Sequence, residues 1–303
     1  MLHSNIVRLD ANALRTPDET ETALVLQRSN AIFVIKTLCE LSKVVQKHRG
    51  ASIACIDGDE QFLPLVSHLQ TQVQQIFQVL FQCEQRQPML NEAKLSALVS
   101  DWRTIQANWQ QDTVIQNYEF HSHLIEVLRV MQRSSIDTYL LNTELSINNP
   151  GFTQGVHTLL FDIPEYIELM AKLRGLSTHV LVSKNCDHDY AIRISYLRRT
   201  VQKESKSLNR TLKKMVAPFA DLQPLSELSE IVPMLDEFLL RIDQSILERK
   251  KVRGSSRQLF VLATKVIEFY WRIVVEGFSI LDRYVFDHYL NPEDDFNLIA
   301  TRK

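Results

Sequence analysis

The sequence predicts an all-α protein of about eight helices, arranged as two four-helix bundles with no sheet. Three observations carry this. Only seven glycines and nine prolines occur in 303 residues, too few turn-formers for a chain built of hairpins. Apolar residues recur at spacings of three and four through most of the chain, which is the period of a helix face. Helix-breaking signals fall far apart, so the helices are long. With 45% hydrophobic and 23% charged residues, the composition is that of a folded globular protein.

Residues 1–20 are polar and are expected to form a flexible tail, with Thr16-Pro17-Asp18 as the start signal for the first helix. That helix is expected over 21–56, roughly 50 Å at helical rise, until Asp57-Gly58-Asp59 breaks it. A Gln-rich second helix over 62–85 carries Val66, Leu69, Val73, Ile76 and Leu80 on one face, and Pro88 stops it. A third over 92–109 and a fourth over 114–141 lead to Ser146-Ile147-Asn148-Asn149-Pro150-Gly151. That loop divides a first bundle, 21–150, from a second, 151–291. The fifth helix runs to about 182 with a bend at Pro164, and the sixth covers 189–216 before Pro218 and Pro224. The seventh and eighth cover 225–251 and 257–290, and 292–303 form a short tail.

Several function classes drop out. Neither G-x-G-x-x-G nor G-x-x-x-x-G-K-[ST] occurs, which removes Rossmann and P-loop readings. A net charge of −2 gives no overall attraction to nucleic acid or anionic membrane. Cys39, Cys55, Cys83 and Cys186 lack C-x-x-C spacing and suit reduced thiols of a cytoplasmic protein. The start, Met1-Leu2-His3-Ser4-Asn5, is not a signal peptide. The most apolar run, 259–280, is interrupted by Lys265, Glu268, Arg272 and Glu276 on one helix face, so it reads as amphipathic and no membrane partner is expected. His121 and His123 point about 200° apart on a helix and do not share a metal, and Cys186-x-His188 is read in the same way. No nucleophile elbow or paired carboxylate is evident, so neither enzyme activity nor a cofactor is expected.

One short pattern repeats. Lys47-His48-Arg49-Gly50-Ala51-Ser52 and Lys172-Leu173-Arg174-Gly175-Leu176-Ser177 share K-x-R-G-x-S, and Arg253-Gly254-Ser255-Ser256 repeats part of it. Three of the seven glycines thus follow an arginine. Arg174 falls on the apolar stripe Ile167, Met170, Ser177, Leu181, and Arg49 on the stripe Leu38, Leu41, Val45, Ser52, Ile56. Both arginines are expected to point inward, where a guanidinium cannot escape its charge and needs an anion. Neither has an acid three or four residues away. The partner is either a carboxylate from another helix, with Glu40, Glu126, Glu165 and Glu168 as candidates, or a bound anion. In the second case Ser52, Ser177 and Thr178 supply hydroxyl donors, Gly50 and Gly175 allow close approach, and a small planar anion fits two guanidinium forks.

On these two segments the chain resembles the nitrate- and nitrite-sensing domain of bacterial signalling proteins, in pattern over about residues 25–290. The resemblance implies two four-helix bundles that bind nitrate or nitrite between helices, with Arg49 and Arg174 as ligand arginines. It also implies a third arginine, for which Arg198 is chosen over Arg241 because Arg241 already has Glu237 one turn back. Where members often carry a second charged residue before the first Arg-Gly, this chain has His48. Only Asn291-Pro292-Glu293-Asp294-Asp295 and a short tail come after the eighth helix, so a sensor of this kind is expected to signal through a separate protein, whether as monomer or homodimer.

The competing reading is a ligand-free adaptor. The sixth helix carries eight cations between Arg193 and Lys214 against the single acid Glu204, a basic stripe suited to an acidic protein surface. Tyr196 is its one aromatic, which argues against a nucleic-acid partner.

Overall fold

Among the described residues, eight helical rods make up the fold and no strand occurs. The computed structural model describes residues 19–248 and 255–290. The expected tails lie outside these residues, apart from Glu19 and Thr20, which already belong to the first helix. Helix α1, Glu19–Ile56, ends where Gly58 adopts a positive φ of 93°, a conformation that strains any residue with a Cβ. A short 3-10 turn, Glu60–Phe62, leads into α2, Leu63–Arg86, with a proline in its first turn. Helix α3, Glu92–Asn108, starts at Asn91, whose side chain accepts from Lys94 N–H. Helix α4, Val114–Ile136, opens with a Thr113–Gln116 capping box and runs on as a π turn, Asp137–Leu141.

A single turn, α5, Glu144–Ile147, precedes a long rod. This rod comprises α6, Pro150–His157, a π turn, Thr158–Asp162, and α7, Ile163–Ser183. The interruption expected at Pro164 is therefore a π turn just ahead of the proline, where the widened ladder accommodates the missing N–H. Helix α8, His188–Leu212, begins at Asp187, which accepts from Tyr190 N–H, and ends about a turn earlier than expected. Helix α9, Leu228–Ile242, tolerates Pro233 and continues as a π turn, Asp243–Leu247. The expected end of this rod at 251 lies outside the described residues. Helix α10, Ser256–Leu290, closes the fold. No helix among the described residues is long and apolar enough to cross a membrane.

Two apolar cores fill the molecule. The first joins Leu38 and Val45 of α1 to Leu69 and Leu80 of α2, Trp102 of α3 and Leu128 of α4. The second joins Phe152 and Ile167 of the long rod to Val201 of α8, Phe238 of α9 and Tyr270 of α10. Helix α1 also contributes Ile32, Ile35, Cys39 and Ile53 to the second core. This grouping is compatible with two four-helix bundles packed along α1. Each fully buried Leu, Ile or Phe contributes roughly 1.5–3 kcal/mol.

Packing leaves no room for a Cβ at Gly151, Gly155 or Gly277, and the tightest of the three is Gly155. A Cβ there would lie 2.0 Å from Phe219 Cδ2, and Phe219 is fully buried. Gly155→Ala is expected to cost roughly 1–3 kcal/mol, because the ring has no free volume to move into. Gly175→Ala, whose Cβ would stand 3.9 Å from Ile53 Cδ1, should be neutral or slightly stabilising through helix propensity. Denaturant midpoints of the two variants check this, and equal midpoints would refute it.

Candidate functional site

The two copies of K-x-R-G-x-S meet where α1 packs on α7. The Cβ position of Gly50 lies 3.6 Å from Arg174 Nη2, and that of Gly175 3.9 Å from Ile53 Cδ1. These are ordinary contacts, so the packing of α1 on α7 does not itself require either glycine. In the third copy, Arg253 and Gly254 lie outside the described residues.

Arg49 and Arg174 are both buried, 2% and 6% exposed. Arg49 holds a carboxylate in a two-pronged fork: Nη1 donates to Glu168 Oε1 at 2.7 Å and Nη2 to Oε2 at 3.0 Å. Its Nη1 also donates to Ser122 Oγ at 2.9 Å, and its guanidinium lies 5.5 Å from the Tyr118 ring centre. Gln46 Nε2 donates to Glu168 Oε2 at 2.8 Å, and Lys172 Nζ stands 3.6 Å from Oε1. Burial alone would raise the Glu168 carboxyl. The charge and hydrogen bonds of Arg49, then Lys172 and Gln46, outweigh that and hold it below its ordinary value. Of the other candidate acids, Glu40 pairs with Lys43, and Glu126 and Glu165 pair with Arg129.

Arg174 has a different environment. Its Nη1 donates to Thr264 Oγ1 of α10 at 2.8 Å, and its guanidinium lies 4.6 Å from the Phe260 ring centre. No carboxylate among the described residues lies within ion-pair distance of it. Its Nε, together with Ser177 Oγ and Thr178 Oγ1 one turn on, is buried without a hydrogen-bond partner. Burial, and then the nearby Arg49 charge, push its pKa down to about 10, against a smaller opposing pull from Glu268 and Glu168. The guanidinium therefore stays charged at neutral pH.

Three of the expected ligand residues are otherwise engaged. His48 Nδ1 lies 2.7 Å from His121 Nε2, His121 Nδ1 lies 2.7 Å from Asn117 O, and Gln70 Nε2 lies 3.3 Å from His48 Nε2. A carbonyl only accepts, so His121 Nδ1 carries the proton, its Nε2 accepts from His48 Nδ1, and His48 Nε2 accepts from Gln70. With both nitrogens engaged, His48 has no donor left for an anion. Burial pushes the His48 pKa down to about 4 and that of His121 well below its ordinary value, with His48 and Arg49 adding to the second. Ser52 Oγ donates to Asn117 Oδ1 at 2.9 Å, so its one proton is also spent within the chain. Arg198 Nη2 donates to Asp243 Oδ2 and its Nη1 to Gln202 Oε1, both at 2.5 Å, which ties it to the seam between α8 and the end of α9. Arg241 pairs with Glu237, as its spacing implied.

The α1–α7 contact thus brings Arg49 and Arg174 together, with Ser177 one turn from Arg174. Spacing along the sequence did not point to Gln46, Gln70, Asn117, Ser122 or Thr264. A usable signal existed on α4, where the polar pair Asn117 and His121, four residues apart, lies among the buried Tyr118, Leu124, Ile125 and Leu128. Among the described residues, no group of three or more His, Cys, Asp or Glu is placed to hold a metal ion. The chain matches no known protein family, no curated protein and no solved structure.

Proposed function

We propose that the chain is a non-enzymatic helical sensor that takes a small planar oxyanion, nitrate or nitrite, at Arg174 and passes the event to a separate signalling protein. The observation that carries this reading is a buried, charged guanidinium with no carboxylate among the described residues within ion-pair distance. Arg49 is neutralised by Glu168, so the two arginines leave one positive charge over, and a monoanion would cancel it. Arg174 Nε–H, the Ser177 hydroxyl and the Thr178 hydroxyl are donors without acceptors, and a planar oxyanion supplies acceptors in the plane of a guanidinium. Arg49 then acts as a neighbouring charge and not as a direct ligand. An anion at Arg174 would compete with Glu168 for Arg49. That competition would favour whichever packing of α7 on α1 and α10 serves both anions, a shift in population between two arrangements.

The test is calorimetric titration with nitrate, nitrite, chloride and sulfate. Saturable nitrate or nitrite binding is expected, lost in Arg174→Ala while circular dichroism shows that variant still folded. No heat and no change in melting temperature at millimolar anion would sink the reading.

The Arg49–Glu168 fork favours a second reading, a ligand-free adaptor in which both arginines are structural. Under it Arg174→Met, an apolar replacement of similar length, keeps or raises the melting temperature, and no anion shifts it.

A further inference from the structure

The exposed face of α8 carries a continuous stripe that the anion reading does not use. Arg199, Lys203, Lys206, Arg210 and Lys213 are exposed and are spaced by four and three. The same spacing continues back to Tyr196 and Ile192, which are 67% and 54% exposed. Such a seven-residue repeat stays on one side of a helix over about 32 Å. The opposite face, Ile194, Leu197, Val201, Leu208 and Leu212, is buried in the second core. The helix therefore cannot turn its apolar side outward to lie in a bilayer.

The chain's own acids pair with two of the cations beside this stripe and leave most of the stripe itself charged. Arg193 pairs with Glu119, and Arg198 with Asp243. Within the stripe, among the described residues, only Lys203 meets an acid, its neighbour Glu204 at 3.4 Å, and the Arg210 side chain bonds a backbone carbonyl of its own helix. In a protein of net charge −2, this is a local concentration of positive charge with an apolar pair at one end.

From this we infer that α8 is a docking ridge for an acidic amphipathic helix of another protein. Its glutamates or aspartates would follow the same alternation of three and four, and an apolar residue would meet Tyr196 and Ile192. Charge complementarity supplies orientation and rate of encounter, and the exposed aromatic supplies the anchor. A single-stranded nucleic acid fits less well, because base stacking calls for aromatics spread along the groove and Tyr196 stands alone at one end. This ridge is independent of Arg174 and stands or falls without the anion.

The experiment uses the full chain and two defined probes, followed by fluorescence anisotropy. One is a synthetic helical peptide with glutamates at that alternation and two leucines at one end, and the other is a single-stranded RNA of equal charge. Saturable, salt-sensitive binding of the peptide is expected, with or without nitrate. The triple variant Lys203→Glu, Lys206→Glu, Arg210→Glu should weaken it by about tenfold or more and flatten its salt dependence. Tyr196→Ala should weaken it several-fold without changing the salt dependence. These are exposed positions, and unchanged melting temperatures verify folding. Absence of peptide binding, tighter binding of the RNA, or a self-association that the triple variant abolishes would each overturn the inference, the last by making a second copy the occupant.

Discussion

Replacing Glu168 by alanine is expected to lower unfolding free energy by roughly 3–5 kcal/mol, more than any single methylene removed from either core. The loss arises because Arg49 stays buried and charged once its carboxylate is gone, with the charged Arg174 close beside it. Lys172, 27% exposed, can turn to solvent, but Arg49, 2% exposed, cannot. Gln46 would also lose its acceptor. Chemical denaturation measures the effect. Combining Glu168→Ala with Arg49→Met should recover most of the loss, since removing a buried pair as a whole costs far less than removing one partner. A Glu168→Ala protein as stable as the parent would show that the fork contributes nothing. Millimolar nitrate should also raise the melting temperature of Glu168→Ala, because a free anion can then take the place of the missing carboxylate.

Acid should weaken the fold well before carboxylates titrate. The ordinary histidine value is 6.5, and burial brings His48 down to about 4. Between those values the unfolded chain binds the proton and the folded one does not. Stability is therefore full above pH 6.5 and is lost as pH falls from 6.5 toward 4, by about 1.4 kcal/mol per unit and about 3 kcal/mol in all for this residue. His121 is displaced in the same direction and adds to the slope. Glu168, whose carboxyl is held below its ordinary 4.5, contributes only to the loss below that value, so the two effects occupy different windows. Denaturant midpoints of the parent and of His48→Leu/His121→Leu at pH 7 and 4.5 check this. The double variant should show a shallower fall, and parallel curves would refute the assignment.

Most of the fold was legible because helices announce themselves locally. Pro88 and Gly58 mark boundaries through their own backbone chemistry and act where the sequence places them, whereas the expected loop 146–151 shrinks to Asn148 and Asn149, because Ser146 and Ile147 close α5 and Pro150 opens α6. The inward direction of Arg49 and Arg174 was legible for the same reason, since it derives from spacing within one helix. Their partners were not, because a fork between residues 119 apart is a property of how two helices cross. Glu168 was one of four candidate acids, and its own helix disguised it: Lys172, four residues on, makes it look like half of a surface pair. The His48–His121 contact was hidden similarly. The His121-x-His123 spacing drew attention to metal, whereas the informative residue was Asn117, four positions back on the buried side of α4. The π turns left no mark in the apolar pattern, because one extra residue per turn shifts the register by less than the width of the stripe.

Helix α1 gives Leu38 to one core and Ile35 to the other. The chain path divides near residue 150, but the folding unit does not. Cutting there would yield a front piece with an apolar side bared and a rear piece lacking the strut that its own core closes against. Either half produced alone is therefore expected to fold poorly, and the two are expected to unfold together as one cooperative unit.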